Sequence, residues 1–189
     1  MSKWYIYVIL LTMVTACYQA PVTDVRMHVK GLMENDSAVS VITRDSVYTA
    51  YLDKTCGAAL TLDPKQKADY AIFRYHGVSV PIYIEPNKNL EIFLKIENWE
   101  MEVKFAGSGA PKNEYLNNKT LREFYPDYKT DEAGIIQSLK TWETKLSEML
   151  DSMHFDSAFT AIEKNSLPDI CLSTSLSFLS EISTSKTGI

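Results

Sequence analysis

The side chains best suited to nucleophilic or metal chemistry are three cysteines and three histidines, spread along the whole chain. Cys56 and His76 could form a nucleophile–base pair, because such partners meet in space rather than in sequence, but no local signature accompanies them. The sequence contains no redox C-x-x-C, and no two histidines have a metal-ligand spacing such as H-x₃-H. It therefore predicts no catalytic residue, metal or cofactor, and surface positions for His28, His76 and His154.

Two further patterns invite a catalytic interpretation but are better explained as parts of the fold. Glu97, Glu100 and Glu102 could act as paired carboxylates in glycoside chemistry. However, Glu100 and Glu102 alternate with apolar residues, as on the solvent-facing side of a sheet. The glycine-rich turn 107–109 precedes a predicted helix, whose N-terminus would attract a phosphate. Because no phosphate-loop or dinucleotide fingerprint is present, this turn is predicted to connect a strand to a helix.

Tyrosines are concentrated in the predicted strands, where they could line a binding groove, since a tyrosine ring buries a large area while its hydroxyl stays in water. The candidate ligand face consists of Tyr48, Tyr51, Tyr70, Tyr75 and Tyr83. Packing in the core and rim of a β-sandwich would explain the same positions. Both interpretations stay open, as does a disulfide between Cys56 and Cys171, which an oxidising compartment would permit.

Composition narrows the class of protein. The chain has 189 residues, 46% of them hydrophobic, and a formal net charge of −5. This hydrophobic fraction is typical of a globular protein with a core. The negative charge, without a basic stripe, argues against nucleic acid as a partner. Beyond the N-terminal segment, no apolar run reaches the roughly 18 residues that a transmembrane helix requires.

The first 17 residues, MSKWYIYVILLTMVTAC, have the layout of an export signal. Their apolar run is too short for a membrane-spanning helix, which needs roughly 20 residues, but fits the core of a secretory signal. Residues 14–17 (VTAC) resemble the lipobox of bacterial lipoproteins. The resemblance implies cleavage before Cys17 and lipidation of that cysteine, with residues 18–24 as a short tether and the protein facing the periplasm, on the outer membrane. An ordinary cleaved signal or an apolar N-terminal strand is the alternative.

From residue 25 onward, apolar and polar residues alternate, which predicts half-buried strands separated by turns. The predicted strands are 25–30, 38–43, 47–52, 59–62, 70–75, 78–84, 90–97 and 99–105. Pro81 predicts an edge or a bulge for its strand, because proline cannot donate to a central ladder. This spacing predicts an antiparallel sandwich or barrel-like sheet in a β-rich domain of residues 25–110.

After the glycine-rich turn, the periodicity becomes helical. The predicted helices are 112–124, 131–153 and 155–164, within a helical segment of residues 111–166. The apolar stripe of the second helix, centred on Trp142, is expected to pack on the sheet or on a missing neighbour. Residues 167–189 are rich in serine and threonine and are expected to be irregular, as at a truncated C-terminus.

The order of these features resembles the N-terminal half of thioredoxin-like lipoproteins from Bacteroidetes. The hairpin PIYIEPNKNLEIFLKI and the junction FAGSGAPKNEYLNN are similar to the small β-rich domain of the DUF4369 type that opens those proteins. The junction matches at Phe105, Gly107, Gly109, Asn113, Tyr115 and Leu116. In the family, further helices lead to a thioredoxin domain that carries C-x-x-C. The match covers about residues 1–165 and supplies no catalytic residue.

Together these patterns predict an α+β fold, with an antiparallel β-sandwich-like domain followed by a helical segment. The leading hypothesis is a non-catalytic accessory or binding module of a cell-envelope lipoprotein, which by resemblance would position or select partners for a redox domain. The alternative is a stand-alone envelope lipoprotein that binds a ligand or protein through an aromatic sheet face. Expected partners are a membrane, through the lipid on Cys17, and an envelope protein. A hydrolase is disfavoured because no nucleophile–base signature appears.

Overall fold

A computed structural model describes residues 23–31, 37–63, 67–97, 100–119 and 132–187. The strands are β1 (Thr23–Lys30), β2 (Ala38–Ile42), β3 (Val47–Tyr51), β4 (Gly57–Leu62), β5 (Asp69–Tyr75), β6 (Val78–Ile84), β7 (Leu90–Glu97) and β8 (Glu100–Ala106). The helices are α1 (Ala110–Asn118), α2 (Glu132–Ser152) and α3 (Ser157–Thr187). Strands precede helices, so the predicted α+β class is confirmed. Cys17 and most of the predicted tether lie outside the described residues.

The strands form two four-stranded sheets. Sheet A has the order β4-β1-β7-β8, and sheet B has the order β3-β2-β5-β6. Neighbouring strands are antiparallel with one exception, because β1 and β7 run parallel, with Val25 opposite Leu90. This parallel pair is the one departure from the predicted antiparallel pairing among the described strands. β1 pairs with β4 on one side and with β7 on the other. Between β4 and β7 the chain forms β5 and β6 of sheet B.

One hydrophobic core lies between the inner faces of the two sheets. Side chains alternate between the two faces of a strand, so every second residue of most strands belongs to this core. Sheet A contributes Val25, Met27, Val29, Leu62, Leu90, Ile92, Leu94 and Phe105, and sheet B contributes Val39, Val41, Ala71, Phe73, Tyr75, Val80, Ile82 and Ile84. Each large side chain buried in this way contributes about 1.5–3 kcal/mol, which explains why the alternation in the sequence predicts the strands so well.

Two backbone positions of sheet A require glycine. Gly31 follows β1 with φ +85°, and a Cβ there would lie 1.9 Å from the carbonyl oxygen of Ile96. Gly107 follows β8 with φ +87°, and a Cβ there would lie 2.5 Å from the carbonyl oxygen of Asn89. Only glycine adopts such a conformation beside another backbone at little cost. The turn 107–109 therefore serves the chain path, as predicted, and leads from β8 into α1.

The prediction for Pro81 is confirmed, because β6 is an edge strand of sheet B, with Pro81 opposite Ile72 of β5. The free edge of a sheet is the place where a missing N–H does not interrupt the ladder.

The chain divides into two compact units, Met1–Glu114 and Tyr115–Ile189. In the second unit, Trp142 and Leu146 of α2 pack against Leu167 and Cys171 of α3. The apolar stripe of α2 therefore contacts a helix of its own unit, which corrects the expectation of a sheet or a missing neighbour. None of the helices formed by the described residues is long and apolar enough to cross a membrane.

The prediction of an irregular segment at residues 167–189 is wrong, because α3 continues to Thr187 with Pro168 in its interior. A proline inside a helix costs about 3 kcal/mol. Leu167 and Cys171 lie four residues apart, on one face of the helix, and both are buried against α2. Their burial offsets much of the cost of the proline and keeps the chain helical past it.

Candidate functional site

A cleft of about 590 Å³ lies on sheet A, in the first unit. Its walls come from β1, β7 and β8 and from the turn that joins β3 to β4. The side chains that give it chemical character are His28, Phe93, Lys30, Lys95, Lys104, Glu102 and Cys56. A volume of this size is typical of sites that bind small molecules or short segments of a larger partner.

An aromatic pair forms the floor of the cleft. His28 lies directly opposite Phe93 in the parallel pairing of β1 with β7. Their rings are stacked, with centroids 4.8 Å apart and planes inclined by 12°. Phe93 stays 40% exposed although it occupies a polar position of the alternating strand. The pair thus places partly exposed aromatic surface in the cleft, against which an apolar or ring-shaped group can pack.

Charged groups surround this aromatic pair. Lys30, Lys95 and Lys104 contribute three ammonium groups to the lining, against the one carboxylate of Glu102. The Lys104 ammonium lies 2.7 Å from the Glu102 carboxylate, and its hydrogen bond and charge hold the pKa of Glu102 below its usual value. Lys95 is also paired with Glu97 next to the cleft, at 2.5 Å. Three ammonium groups therefore lie against two carboxylates, a small positive excess in a chain whose net charge is −5.

A tight turn fixes Cys56 at the rim of the cleft. The Asp53 carboxylate accepts hydrogen bonds from the Thr55 hydroxyl (2.6 Å), the Thr55 amide (2.7 Å) and the Gly57 amide (3.1 Å). These bonds, that of the Thr55 hydroxyl above all, lower the pKa of Asp53. Cys56 has a φ of 60°, and its carbonyl accepts a bond from the Val29 amide at 2.9 Å. Its half-buried thiol is free.

The cysteines singled out in the sequence do not pair. Cys171 is likewise not part of a disulfide; it is buried between α2 and α3 of the second unit, and burial raises the pKa of its thiol to about 11. Cys56 lines the cleft, whereas His76, the base considered for a nucleophile–base pair with it, lies in the turn between β5 and β6 and does not line the cleft.

The structure does not bring the five tyrosines of the predicted ligand face onto one face. Tyr75 is fully buried in the core, and Tyr48 packs against the same core. Tyr51 is 73% exposed at the end of β3. Tyr70 and Tyr83 lie opposite each other with ring centroids 5.1 Å apart, but Tyr83 is only 6% exposed. Packing therefore explains most of these positions.

The predicted surface residues lie where the alternation places them. The exposed histidines are His28, His76 and His154, and the exposed carboxylates of the β7–β8 hairpin are Glu97, Glu100 and Glu102. Within the described parts of the chain, no cluster of three or more histidine, cysteine or acidic residues could hold a metal ion. The sequence did not single out the stacked pair in the cleft. Its one available signal was a phenylalanine at a polar position of the 90–97 alternation.

A polar cluster joins the start of α1 to the edge of sheet B. The Asn113 side chain is completely buried. Its amide nitrogen donates to the carbonyls of Tyr83 (2.9 Å) and Gly109 (2.8 Å), while its oxygen accepts from the Tyr83 amide (2.7 Å). Beside it, the Lys112 ammonium lies 2.6 Å from the Glu85 carboxylate. Asn113, which the junction motif singled out, thus has a structural role.

The second unit contains a buried ion pair. The Lys119 ammonium lies 2.6 Å from the Glu163 carboxylate, whose side chain is 2% exposed. The same ammonium lies 5.6 Å from the centre of the Tyr115 ring, which packs edge-on against Phe159. Burial first, and the charge of Glu163 second, raise the pKa of the Tyr115 hydroxyl well above its usual value. These groups are internal, so they do not offer a surface to a ligand.

No family model matches the sequence, and no curated protein matches it. The predicted resemblance to DUF4369-type regions therefore stays a prediction. Part of the structure is weakly similar to a crystal structure of a "putative cell adhesion protein" from Bacteroides uniformis ATCC 8492, over 47% of this chain and 50% of that chain, with 11% sequence identity and a TM-score of 0.31. This chain thus spans half the length of that protein. A similarity at this level carries no functional argument.

Proposed function

We propose that this chain is a non-catalytic binding module of a cell-envelope lipoprotein, and that it binds an anionic ligand bearing a flat apolar group in the cleft of sheet A. The observation that carries the proposal is the stacked His28–Phe93 pair surrounded by lysine ammonium groups. An exposed phenylalanine on a rigid strand provides contact area at low entropic cost, and the ammonium groups favour a negative partner.

The envelope part of the proposal rests on the N-terminal residues. Only residues 18–22 separate Cys17 from the first residue of β1. At about 3.3–3.6 Å per residue, they span at most roughly 20 Å, so a lipid on Cys17 would hold the sandwich close to the membrane. The cleft lies at the C-terminal end of β1, near His28–Gly31, about 17 Å along the strand from Thr23. That end of the strand would face away from the lipid.

Ligand binding is tested with the anionic aromatic probe 8-anilinonaphthalene-1-sulfonate and the full chain in non-ionic detergent. We expect Phe93→Ala to weaken binding about tenfold, because it removes the stacking surface, and Lys95→Gln to weaken it and reduce its salt dependence. Lys140→Gln on α2 removes the same charge from an exposed position outside the cleft and should have no effect. Equal binding by the wild type and Phe93→Ala would overturn the assignment of the cleft.

The lipid anchor is tested by Cys17→Ser, which should move the protein from the membrane fraction to the soluble periplasmic fraction. If Cys17→Ser leaves membrane association unchanged, the lipid anchor is refuted. The proposal that the cleft binds a ligand is not affected by that result.

We also propose that the chain is related to thioredoxin-like lipoproteins, and the junction from Phe105 to Leu116 supports this relation. A C-x-x-C motif in the coding sequence downstream of residue 189, read in three frames, is the expected result. Its absence there would favour a stand-alone binding lipoprotein.

A further inference from the structure

Each sheet has two edge strands, and β6 of sheet B differs from β8 of sheet A in how its free edge is covered. At the β6 edge of sheet B, the backbone N–H and C=O of Tyr83 are both bonded by the Asn113 side chain. Pro81 lies two residues earlier, so its backbone groups face the same side of β6, and it has no N–H to donate. A further strand cannot add to that edge in a regular ladder. At the edge of sheet A, β8 carries no such block.

The register of β8 shows which of its backbone groups point outward. The carbonyl of Ile96 lies against Gly31 at the end of β1, so even-numbered residues of β7 direct their backbone groups toward β1 and odd-numbered ones toward β8. Glu102 and Lys104 lie opposite odd-numbered residues of β7 and therefore bond to it. The outward N–H and C=O groups belong to Met101, Val103 and Phe105. Among the described residues, none forms a hydrogen bond with these outward groups.

We propose that a second copy of this chain pairs with this edge, β8 against β8 and antiparallel, with Val103 opposite Val103 of the second copy. In this register, Met101 faces Phe105 of the second copy, so the outward groups of both strands meet and the ladder continues across the interface. Glu102 faces Lys104 of the second copy, and Lys104 faces Glu102, so both cross-strand pairs join opposite charges. These are non-hydrogen-bonded pairs, in which side chains come closest.

Charge disfavours the neighbouring registers. Sliding the second strand to the nearest in-phase position in one direction places Glu102 opposite Glu102 of the second copy, although it also brings Glu100 opposite Lys104. Sliding it in the other direction places Lys104 opposite Lys104. Like charges directly opposite each other destabilise a strand pair. Only the register centred on Val103 has opposite-charge pairs without a like-charge pair, so EMEVKFA is most complementary to itself there.

The side chains that would form these pairs are available. Those of Glu102 and Lys104 are 53% and 72% exposed and currently bond to each other along one strand. Both also line the cleft. Pairing would therefore join two A sheets into one eight-stranded sheet and place the two clefts on a single continuous surface.

The test measures the dimerisation constant of the full chain in non-ionic detergent by density-matched analytical ultracentrifugation. The wild type should dimerise. Lys104→Glu places like charges in both cross-strand pairs and should weaken the dimer about 30-fold. Glu102→Lys should do the same. Lys140→Glu, which makes the same charge change on an exposed position of α2, should have no effect.

Two rescue experiments test the register. The double variant Glu102→Lys/Lys104→Glu restores opposite charges and should dimerise like the wild type. An equimolar mixture of the two single variants should form a heterodimer, because one copy then carries two glutamates and the other two lysines. A monomeric wild type at about 100 μM, a dimer that Lys104→Glu leaves intact, or a mixture that fails to associate would each overturn the proposal. None of these results depends on the ligand of the cleft.

Discussion

Replacing Asn113 should destabilise the first unit far more than its small side chain suggests. The completely buried amide makes three hydrogen bonds, two of them with the backbone of Tyr83, which is itself 6% exposed. Asn113→Ala leaves these buried groups without partners, and each buried group left unsatisfied costs about 1–3 kcal/mol. Two of the three groups are carbonyls, and a buried carbonyl tolerates the loss of its hydrogen-bond partner better than a buried N–H does. The total cost should therefore lie near the lower end of the range, and we expect the free energy of unfolding to fall by about 3 kcal/mol.

Asn113→Asp separates hydrogen bonding from volume, because the two side chains have nearly the same size. The carboxylate can still accept from the Tyr83 amide, but it faces two carbonyls to which it cannot donate. At pH 7 we expect a loss at least as large as that of Asn113→Ala, since a buried charge is added. Burial would raise the pKa of this carboxyl in the folded state above its unfolded value. The variant should therefore regain stability as the pH falls.

The assay is hydrogen exchange of peptides from β5 and β6, combined with urea unfolding. Asn118→Ala, an exposed asparagine of the same helix, is the matched control and should change stability by no more than about 0.5 kcal/mol. The account of this cluster is refuted if the free energy of unfolding of Asn113→Asp at pH 7 lies within about 0.5 kcal/mol of the wild-type value. Such a result would show that the amide donor contributes nothing.

Two further predictions concern the thiols and the turn beside the cleft. Burial raises the pKa of the Cys171 thiol to about 11, which leaves it about 100-fold less ionised at pH 8 than an ordinary thiol. Iodoacetamide should therefore modify Cys56 before Cys171 in the native protein. Equal rates of modification would contradict the burial of Cys171. Because hydrogen bonds lower the folded-state pKa of Asp53 below 3.8, their contribution to stability is present above about pH 4 and is lost as the pH falls through the folded-state value. Amide hydrogen exchange in the β3–β4 turn should thus depend less on acid in Asp53→Asn than in the wild type. If the acid dependence is unchanged, Asp53 is not its cause.

The sequence predicts the strands well because alternation records which side chains face the core, and it predicts much less about which strands are neighbours. Nothing local in β1 indicates that His28 lies beside Phe93, since that contact arises from the parallel pairing with a strand some sixty residues later. The candidate site could therefore not be assembled from the sequence. The tyrosines are enriched in strands for packing reasons, so their positions do not indicate a ligand site.

The C-terminal helix shows a different limit of sequence reasoning. Pro168 and many serines suggested an irregular segment, but the Ser166 hydroxyl donates to the Glu163 carbonyl within the helix at 2.8 Å. Burial of Leu167 and Cys171 against α2 then outweighs the weak local propensity. Such tertiary stabilisation is visible only when the partner helix is known.

The central position of β1 has a mechanical consequence. Tension applied at the N-terminus, as on a chain held by a lipid at Cys17, acts along β1, whose two neighbours β4 and β7 both bond to it. Extraction of this strand has to shear its hydrogen bonds on both sides together, whereas an edge strand pulled sideways would release them one at a time. A lipid on Cys17 would thus hold the first unit through one of the two central strands of sheet A, so that force on a bound partner should release the partner before it unfolds the module.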